Sequence, residues 1–303
     1  MIRYFSEQAV RARKGACGQA TALFLVVIAS VLALLFLSIR LQNFFVARVA
    51  CADAVDAIAL SAATWEARSL NMISALNDGI SQCLRVIRWI ATVWAALAIA
   101  AAFGAGLPAF TTYTREARQR ISACWETAHK LAAWSAKLQR AAPYLVLGEV
   151  AALSRKKGVT GTLIPLNPRG PHDGRNTLEL HLEPGPPLHL SEALLPVSGA
   201  LNRLKKIRLL KGAAKAVASA LDAGLRGLDP SGKGPVRMLV PERDFQERQQ
   251  VRFAGSQPVP GLPIRFPVTE EAPPVFSEAQ AEPYGGGILE MTWKSRLAER
   301  SAR

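Results

Sequence analysis

Two stretches of the sequence carry no charged side chain, and they set the first expectations. From Gly15 to Ile39 the chain is uncharged, and Ala22–Ile39 is almost wholly apolar. A helix rises about 1.5 Å per residue and a bilayer core takes about 20 apolar residues. The pattern therefore predicts a basic leader over residues 1–20 and a transmembrane anchor over Thr21–Ile39. Arg11, Arg13 and Lys14 precede the run and Arg40 follows it, which keeps the amino end in the cytoplasm by the positive-inside rule. The run is longer than the core of a secretory signal and no small-residue cleavage site closes it, so the anchor is expected to be retained.

The second uncharged block, Trp89–Phe110, is richer in alanine. It reads as a second apolar helix, either a second transmembrane span with Trp89 and Trp94 at the headgroups or a helix packed outside the bilayer. If the first helix ran unbroken to Asn77-Asp78-Gly79 and turned there, a returning helix would use up its apolar stretch before reaching lipid. Either the first helix breaks early, or the second block packs on Ala50–Ala67.

Residues 40–88 keep a helical period. Phe44, Phe45, Val49, Ala52, Val55, Ala59, Ala62 and Ala63 share a broad face of small residues, with Arg48, Asp56 and Glu66 off it. Small residues let helix backbones approach closely, so Ala52, Val55, Ala59, Ala62 and Ala63 are the predicted helix-packing interface, for a neighbouring subunit or the second apolar block. Residues 111–158 read as basic amphipathic helices. Ile121, Trp125, Ala128, Leu131, Ala132, Ser135 and Leu138 face one way and Arg118, Arg120, Lys130, Lys137 and Arg140 the other. Pro143 suits the first turn of a further helix, and Lys156-Lys157-Gly158 is a helix stop.

Beyond residue 158 turns dominate. Thr177–Glu183 alternates with Leu178, Leu180 and Leu182 on one face and Glu179, His181 and Glu183 on the other, the pattern of a half-buried strand. Leu201–Leu228 returns to a helix, and Val236–Val240, Gln250–Ala254, Leu262–Val268 and Leu289–Leu297 are short strand candidates. Residues 159–303 are thus expected to form a small α+β domain with a loose, proline-rich connection near 255–285. The fold class as a whole is a membrane-anchored, mainly α-helical amino-terminal half followed by that domain.

Charge bears on topology. Basic and acidic side chains number five and one before Leu41, four and four over 41–90, nine and three over 111–158, and nineteen and fifteen from 159 on. A neutral loop between basic flanks places both ends of the chain in the cytoplasm if the second block spans. The basic stretches Arg115–Lys157 and Arg203–Lys215 read as a solvated helix face or one lying against anionic lipid; nucleic acid is disfavoured, because no recognition motif or interleaved aromatic platform accompanies them.

Candidate chemistry is sparse. Cys17, Cys51, Cys83 and Cys124 have no C-x-x-C spacing and no histidine at metal distance, so neither a disulfide scaffold nor a metal site is predicted. Gly227-Leu-Asp-Pro-Ser-Gly-Lys-Gly234 has the spacing of a phosphate-binding loop, but Gly234 stands where Ser or Thr would hold magnesium. A helix precedes it and a strand follows, the reverse of what phosphate binding needs, so a helix end and turn is expected. His129, His172, His181 and His189 have no nucleophile at recognisable spacing. The sequence predicts no catalytic residue, no cofactor and no enzyme.

The leader ending Lys14-Gly-Ala-Cys-Gly18-Gln19-Ala20, the apolar helix, Arg40-Leu-Gln-Asn43 and the run Ala50-Cys-Ala-Asp53-Ala-Val-Asp56-Ala-Ile-Ala-Leu-Ser-Ala-Ala63 resemble the TadE/TadG-like proteins of tight-adherence (Flp, type IVc) pilus-assembly systems, over about residues 14–64. The resemblance implies a pseudopilin-like component of a pilus-assembly or secretion apparatus in the bacterial inner (cytoplasmic) membrane, with pilin-like membrane subunits and the bilayer as partners and the carboxyl domain outside the cytoplasm. It also marks Gly18 and Gln19 as a leader-processing site. Cleavage there would put Leu23 fifth, where cleaved members carry Glu, so an uncleaved anchor is expected. The competing expectation is a membrane-tethered module whose basic domain engages anionic lipid or nucleic acid.

Overall fold

One helix takes up a third of the chain. α1 runs without a break from Ile2 to Ala102, 101 residues, and α2 returns from Leu107 to Lys157. The computed structural model describes residues 2–102, 107–164, 178, 180–190, 234–243, 245, 249–260 and 273–298, with side chains from Thr21 to Ala101 and from Pro108 on. The candidate helix Leu201–Leu228, the strand Leu262–Val268 and all of the phosphate-loop-like segment except Gly234 lie outside the described residues.

α1 and α2 form an antiparallel hairpin. Near the turn, Trp94 Nε1 donates to Thr114 Oγ1 at 3.0 Å; near the other end, Ser61 Oγ donates to Glu149 Oε1 at 3.5 Å. Between them, Ile80, Leu84, Ile87, Ile90, Ala91 and Trp94 on α1 bury against Ala117, Ile121, Trp125 and Ala128 on α2. The 3.6-residue period of both helices puts these positions on facing stripes. Ala128 and Ser135 on the predicted α2 face are fully buried, and Arg118, Arg120, Lys130, Lys137 and Arg140 are exposed. Gly158, at φ +66°, ends α2 where the sequence placed its stop, a conformation glycine adopts without strain.

Three expectations about the helices change. Asn77-Asp78-Gly79, a turn signal by composition, stays helical: Asn77 and Gly79 meet partners from elsewhere in the chain, and Asp78 pairs along the helix itself. Asn77 Nδ2 donates to Leu239 O at 2.8 Å, Asp78 pairs with Arg85 at 3.3 Å, and Gly79 leaves room for Leu131, whose Cδ1 would stand 3.0 Å from an added Cβ. The block Trp89–Phe110 is therefore not a separate returning helix. Most of it is the far end of α1, and Trp89 lies about 75 Å along the axis from Ile39. A bilayer with a core of about 30 Å that held Thr21–Ile39 would not reach it, which removes the second span in that membrane. Pro143 does not begin a helix either; it lies inside α2.

The carboxyl-terminal strands are β1 (Thr160–Ile164), β2 (Leu182–Pro184), β3 (Leu239–Pro241), β4 (Val251–Gln257), β5 (Val275–Tyr284) and β6 (Lys294–Leu297). All pairing among the described strands is antiparallel: a four-stranded sheet in the order β1-β4-β5-β6, and a two-stranded ribbon β2-β3. In the larger sheet Phe253 stands opposite Leu163 and Ala279, and Ala281 opposite Val251 and Leu297. The stretch expected as a loose connection holds the end of β4 and all of β5, the longest strand. Its inward positions Val275, Ala279, Ala281 and Pro283 are buried, and mostly too small to give a hydrophobic strand signal.

These strands do not close a core of their own. Val251, Phe253, Val275, Ala279 and Ala281 share one buried cluster with Ala47, Cys51, Val55, Ile58, Ala59, Ala62 and Ala63 of α1 and Val146 and Val150 of α2. The sheet lies across the near half of the helix hairpin, so the expected separate α+β domain is, in its described part, a sheet packed on the helices.

Candidate interaction surface

Along α1 the surroundings change twice. From Thr21 to Arg40 every described side chain is exposed except Phe36, which is half-buried, and Leu23, Phe24, Leu25, Leu34 and Leu35 each leave more than half their surface uncovered. This stretch is long and apolar enough to cross a membrane, and none of the described residues covers it. Exposed apolar side chains at 0.8 kcal/mol or so per CH₂ make such a surface unfavourable in water. The apolar face continues past Arg40 through Leu41, Phe45, Val46 and Val49, all exposed. Gly18 and Gln19 lie within α1.

From Ala47 the helix is covered. Of the predicted packing residues, Val55, Ala59, Ala62 and Ala63 are fully buried and Ala52 is half-buried. Within the chain they are covered by its own sheet together with the end of α2, and not by the second apolar block. Small residues do admit a close neighbour, as their pattern implied, but the neighbour is a β-sheet.

A polar stripe then fixes the sheet's far edge to α1. Thr64, Asn71, Ser74 and Asn77 recur at helical spacing. Thr64 Oγ1 meets Ser295 Oγ at 2.8 Å, and Ser74 Oγ donates to Gly287 O at 2.8 Å. Asn71 binds Trp293 twice: its Nδ2 donates to the carbonyl at 3.0 Å and its Oδ1 accepts the backbone N–H at 3.0 Å. Asn77 Nδ2 also reaches Ile288 O at 3.2 Å. From α2, Gln139 Nε2 donates to Leu180 O and Leu182 O at 3.0 and 2.9 Å. Amide side chains thus serve as ladder partners for backbone that has no neighbouring strand, which buried peptide groups require. The sequence carried this signal as polar residues at period 3–4 inside an otherwise apolar helix.

Beside the stripe lies a buried polar cluster that sequence reasoning dispersed. Glu66, expected off the packed face, is 1% exposed. The Gln249 side-chain amide donates to its carboxyl, and burial pushes the Glu66 pKa up to about 8. Glu66 Oε2 has no hydrogen-bond partner. Gln249 is itself buried, and its Oε1 accepts the His181 backbone N–H at 3.0 Å. His181 was expected on a solvated strand face. It is buried instead, with Nδ1 3.9 Å from Glu242 Oε2, because the regular ladder covers only Leu182–Pro184 and the segment before it turns into the core. Leu178 and Leu180 are buried as the alternation implied. The cluster offers a carboxylic acid held neutral near neutral pH.

Cys83 and Cys124 lie one on each helix, half-buried and free, and Cys51 is fully buried with its Sγ 3.5 Å from Val275 O. Desolvation raises all three thiol pKa values, and the nearby Cys124 raises that of Cys83 further. Thiols in this state are poor nucleophiles. No group of three or more metal-ligating side chains converges among the described residues. Set beside protein-family models, curated proteins and solved structures, the chain matches none of them.

Proposed function

We propose that this chain is a non-enzymatic, membrane-anchored, pseudopilin-like component of a tight-adherence-type pilus-assembly or secretion apparatus in a bacterial inner membrane. One observation carries the reading: a single continuous helix bears an uncovered apolar amino-terminal stretch, Thr21–Ile39, and is then clasped by the chain's own sheet from Ala47 on. A rigid rod with one end suited to lipid and the other to a folded body transmits force and position between membrane and assembly. The resemblance over residues 14–64 adds the family.

The burial of Ala59 and Ala63 supports a partner contact elsewhere on the rod. Ala59 and Ala63 face the sheet, so lateral packing falls to the exposed side of the rod, the stripe Leu41, Phe45 and Val49 that continues the anchor. Phe45→Glu and Val49→Glu should abolish co-purification with pilin-like subunits from detergent-solubilised membranes while insertion and fold are kept. Undiminished co-purification would rule out packing through this stripe. A single-cysteine variant at Ser256 probed in intact cells with a membrane-impermeant thiol reagent assigns the side of the sheet. Labelling supports the pilus-assembly reading, and protection until the membrane is opened opposes it.

A further inference from the structure

Away from the sheet, the near half of the helix hairpin keeps an apolar face that no described residue covers. On α2 Trp134, Leu138, Ala141, Leu145, Gly148 and Ala152 recur every four and three residues, the period of a coiled-coil seam. On α1 Ala57, Ser61, Arg68, Met72 and Ala75 keep the same period. Trp134 is 59% exposed, Met72 57% and Leu145 44%; only Leu138 and Ser61 of the two rows are half-buried. The contacts Ser61–Glu149 and Gly79–Leu131 hold the helices in one register, so Asp53, Ala57, Met72 and Ala75 stand level with Arg155, Ala152, Leu138 and Trp134. Nothing among the described residues requires Gly148. It lies inside α2, where glycine costs about 1 kcal/mol against alanine, and an added Cβ would meet no atom within 4 Å. Asp53 and Arg155 border the face, both exposed and neither with an ionic partner among the described residues.

We propose that this face pairs two copies of the chain in a four-helix bundle about a two-fold axis along the rods. Such an axis sets α2 of each copy antiparallel against α1 of the other, at the levels the two helices already share within one chain. Gly148 and Ala152 then oppose Ser61 and Ala57, where small residues let the backbones approach closely. Leu138 and Trp134 oppose Met72 and Ala75 over a seam about 30 Å long. Arg155 of one copy meets Asp53 of the other, twice by symmetry. Arg68, the one charge in the rows, lies over its own Trp65 ring at 5.1 Å. The charges argue against a rival occupant, the chain's own Leu201–Leu228, which has seven basic side chains and one acidic, because α2 borders the face with Lys137, Arg140 and Arg155. Both apolar amino-terminal stretches point the same way, so one bilayer would hold both. The inference does not rest on the pilus reading, whose contacts lie on Leu41, Phe45 and Val49, nearer the anchor.

The full chain in dodecyl maltoside micelles is measured by sedimentation equilibrium with the detergent density-matched, and the native protein should be a dimer. Gly148→Leu adds a side chain where one copy has open space. It should keep or raise the thermal midpoint while weakening association about tenfold or more. Asp53→Arg and Arg155→Asp should each weaken association about threefold to tenfold, and the two together should restore it. Phe45→Glu should leave the dimer unchanged. A monomeric native chain, an undiminished dimer in Gly148→Leu, a charge-swapped double variant no tighter than the singles, or loss of the dimer in Phe45→Glu would each overturn the proposal. The first outcome would leave the face to Leu201–Leu228 or to another protein, and the second and fourth would move self-association to another surface.

Discussion

The near and far halves of the helix hairpin solve the same packing problem with different residues. In the near half α1 buries Ala54, Val55, Ala59, Ala62 and Ala63; in the far half it buries Ile80, Leu84, Ile87, Ile90 and Trp94. The near half lies between a sheet and a second helix, so its buried arc is wide and most of its positions are slim, Ile58 being the large exception. The far half meets chiefly one helix across a narrow stripe, and large side chains interdigitate to fill the gap between two cylinders. The size of the buried residue therefore reports the kind of neighbour. The near half also takes in the polar groups, Glu66, Asn71, Ser74 and Asn77, because a sheet laid on a helix leaves strand ends and loop carbonyls that need donors.

Charging the small-residue face should have the largest effect. Ala59→Glu or Ala63→Glu places a carboxylate between helix and sheet with no partner, and should cost more than about 4 kcal/mol, enough to release the sheet. Limited proteolysis would then cut within β4–β6 while the far hairpin stays protected. Trp94→Ala should cost about 3–5 kcal/mol and also leave Thr114 Oγ1 without its donor. Hydrogen exchange should rise in the far helices and little in β4 and β5; an equal rise in both would mean the halves unfold as one unit and the contrast has no energetic content.

Glu66 gives the near half a pH dependence around neutral pH. Its folded pKa of about 8 lies above the ordinary carboxylate value of 4.5, so between these values the folded chain keeps a proton the unfolded chain releases. Stability is full below about pH 4.5 and falls as pH rises toward 8. Glu66→Gln should remove that decline and raise stability at pH 8 by about 4 kcal/mol, read as a flat urea midpoint against pH. A decline unchanged in the variant would place its origin elsewhere. The smallest of these effects is expected for Asn71→Ala, about 1–3 kcal/mol from the unpaired Trp293 peptide groups, seen as faster amide exchange at Trp293 and in β6 with the far helices unaffected.

Much of the helical architecture was legible. The stripes of Ile121, Trp125 and Ala128, the stop at Gly158 and the small-residue face of α1 follow from periodicity, which depends on local geometry alone. Glu66 and His181 were not legible as buried, because each is covered by segments distant in sequence, Gln249 among them. β5 escaped notice since Ala279 and Ala281 replace the large β-branched residues that mark strands. Asn77-Asp78-Gly79 misled because a turn signal states only what the backbone tolerates, and α2 and the loops before β3 and β6 held it in a helix.

What the sequence determined by itself was the uncharged apolar stretch Thr21–Ile39, the helical period on either side of it, and the absence of any recognisable catalytic motif. These depend on residues within a few turns of one another, where composition and spacing act directly. Only the tertiary structure decided that α1 is one rod to Ala102, that its alanine face is covered by the chain's own sheet, and that the uncharged block Trp89–Phe110 stands at the far end of that rod. Each of these turns on whether a distant segment supplies the compensating contact, and a residue's own chemistry does not name its neighbour.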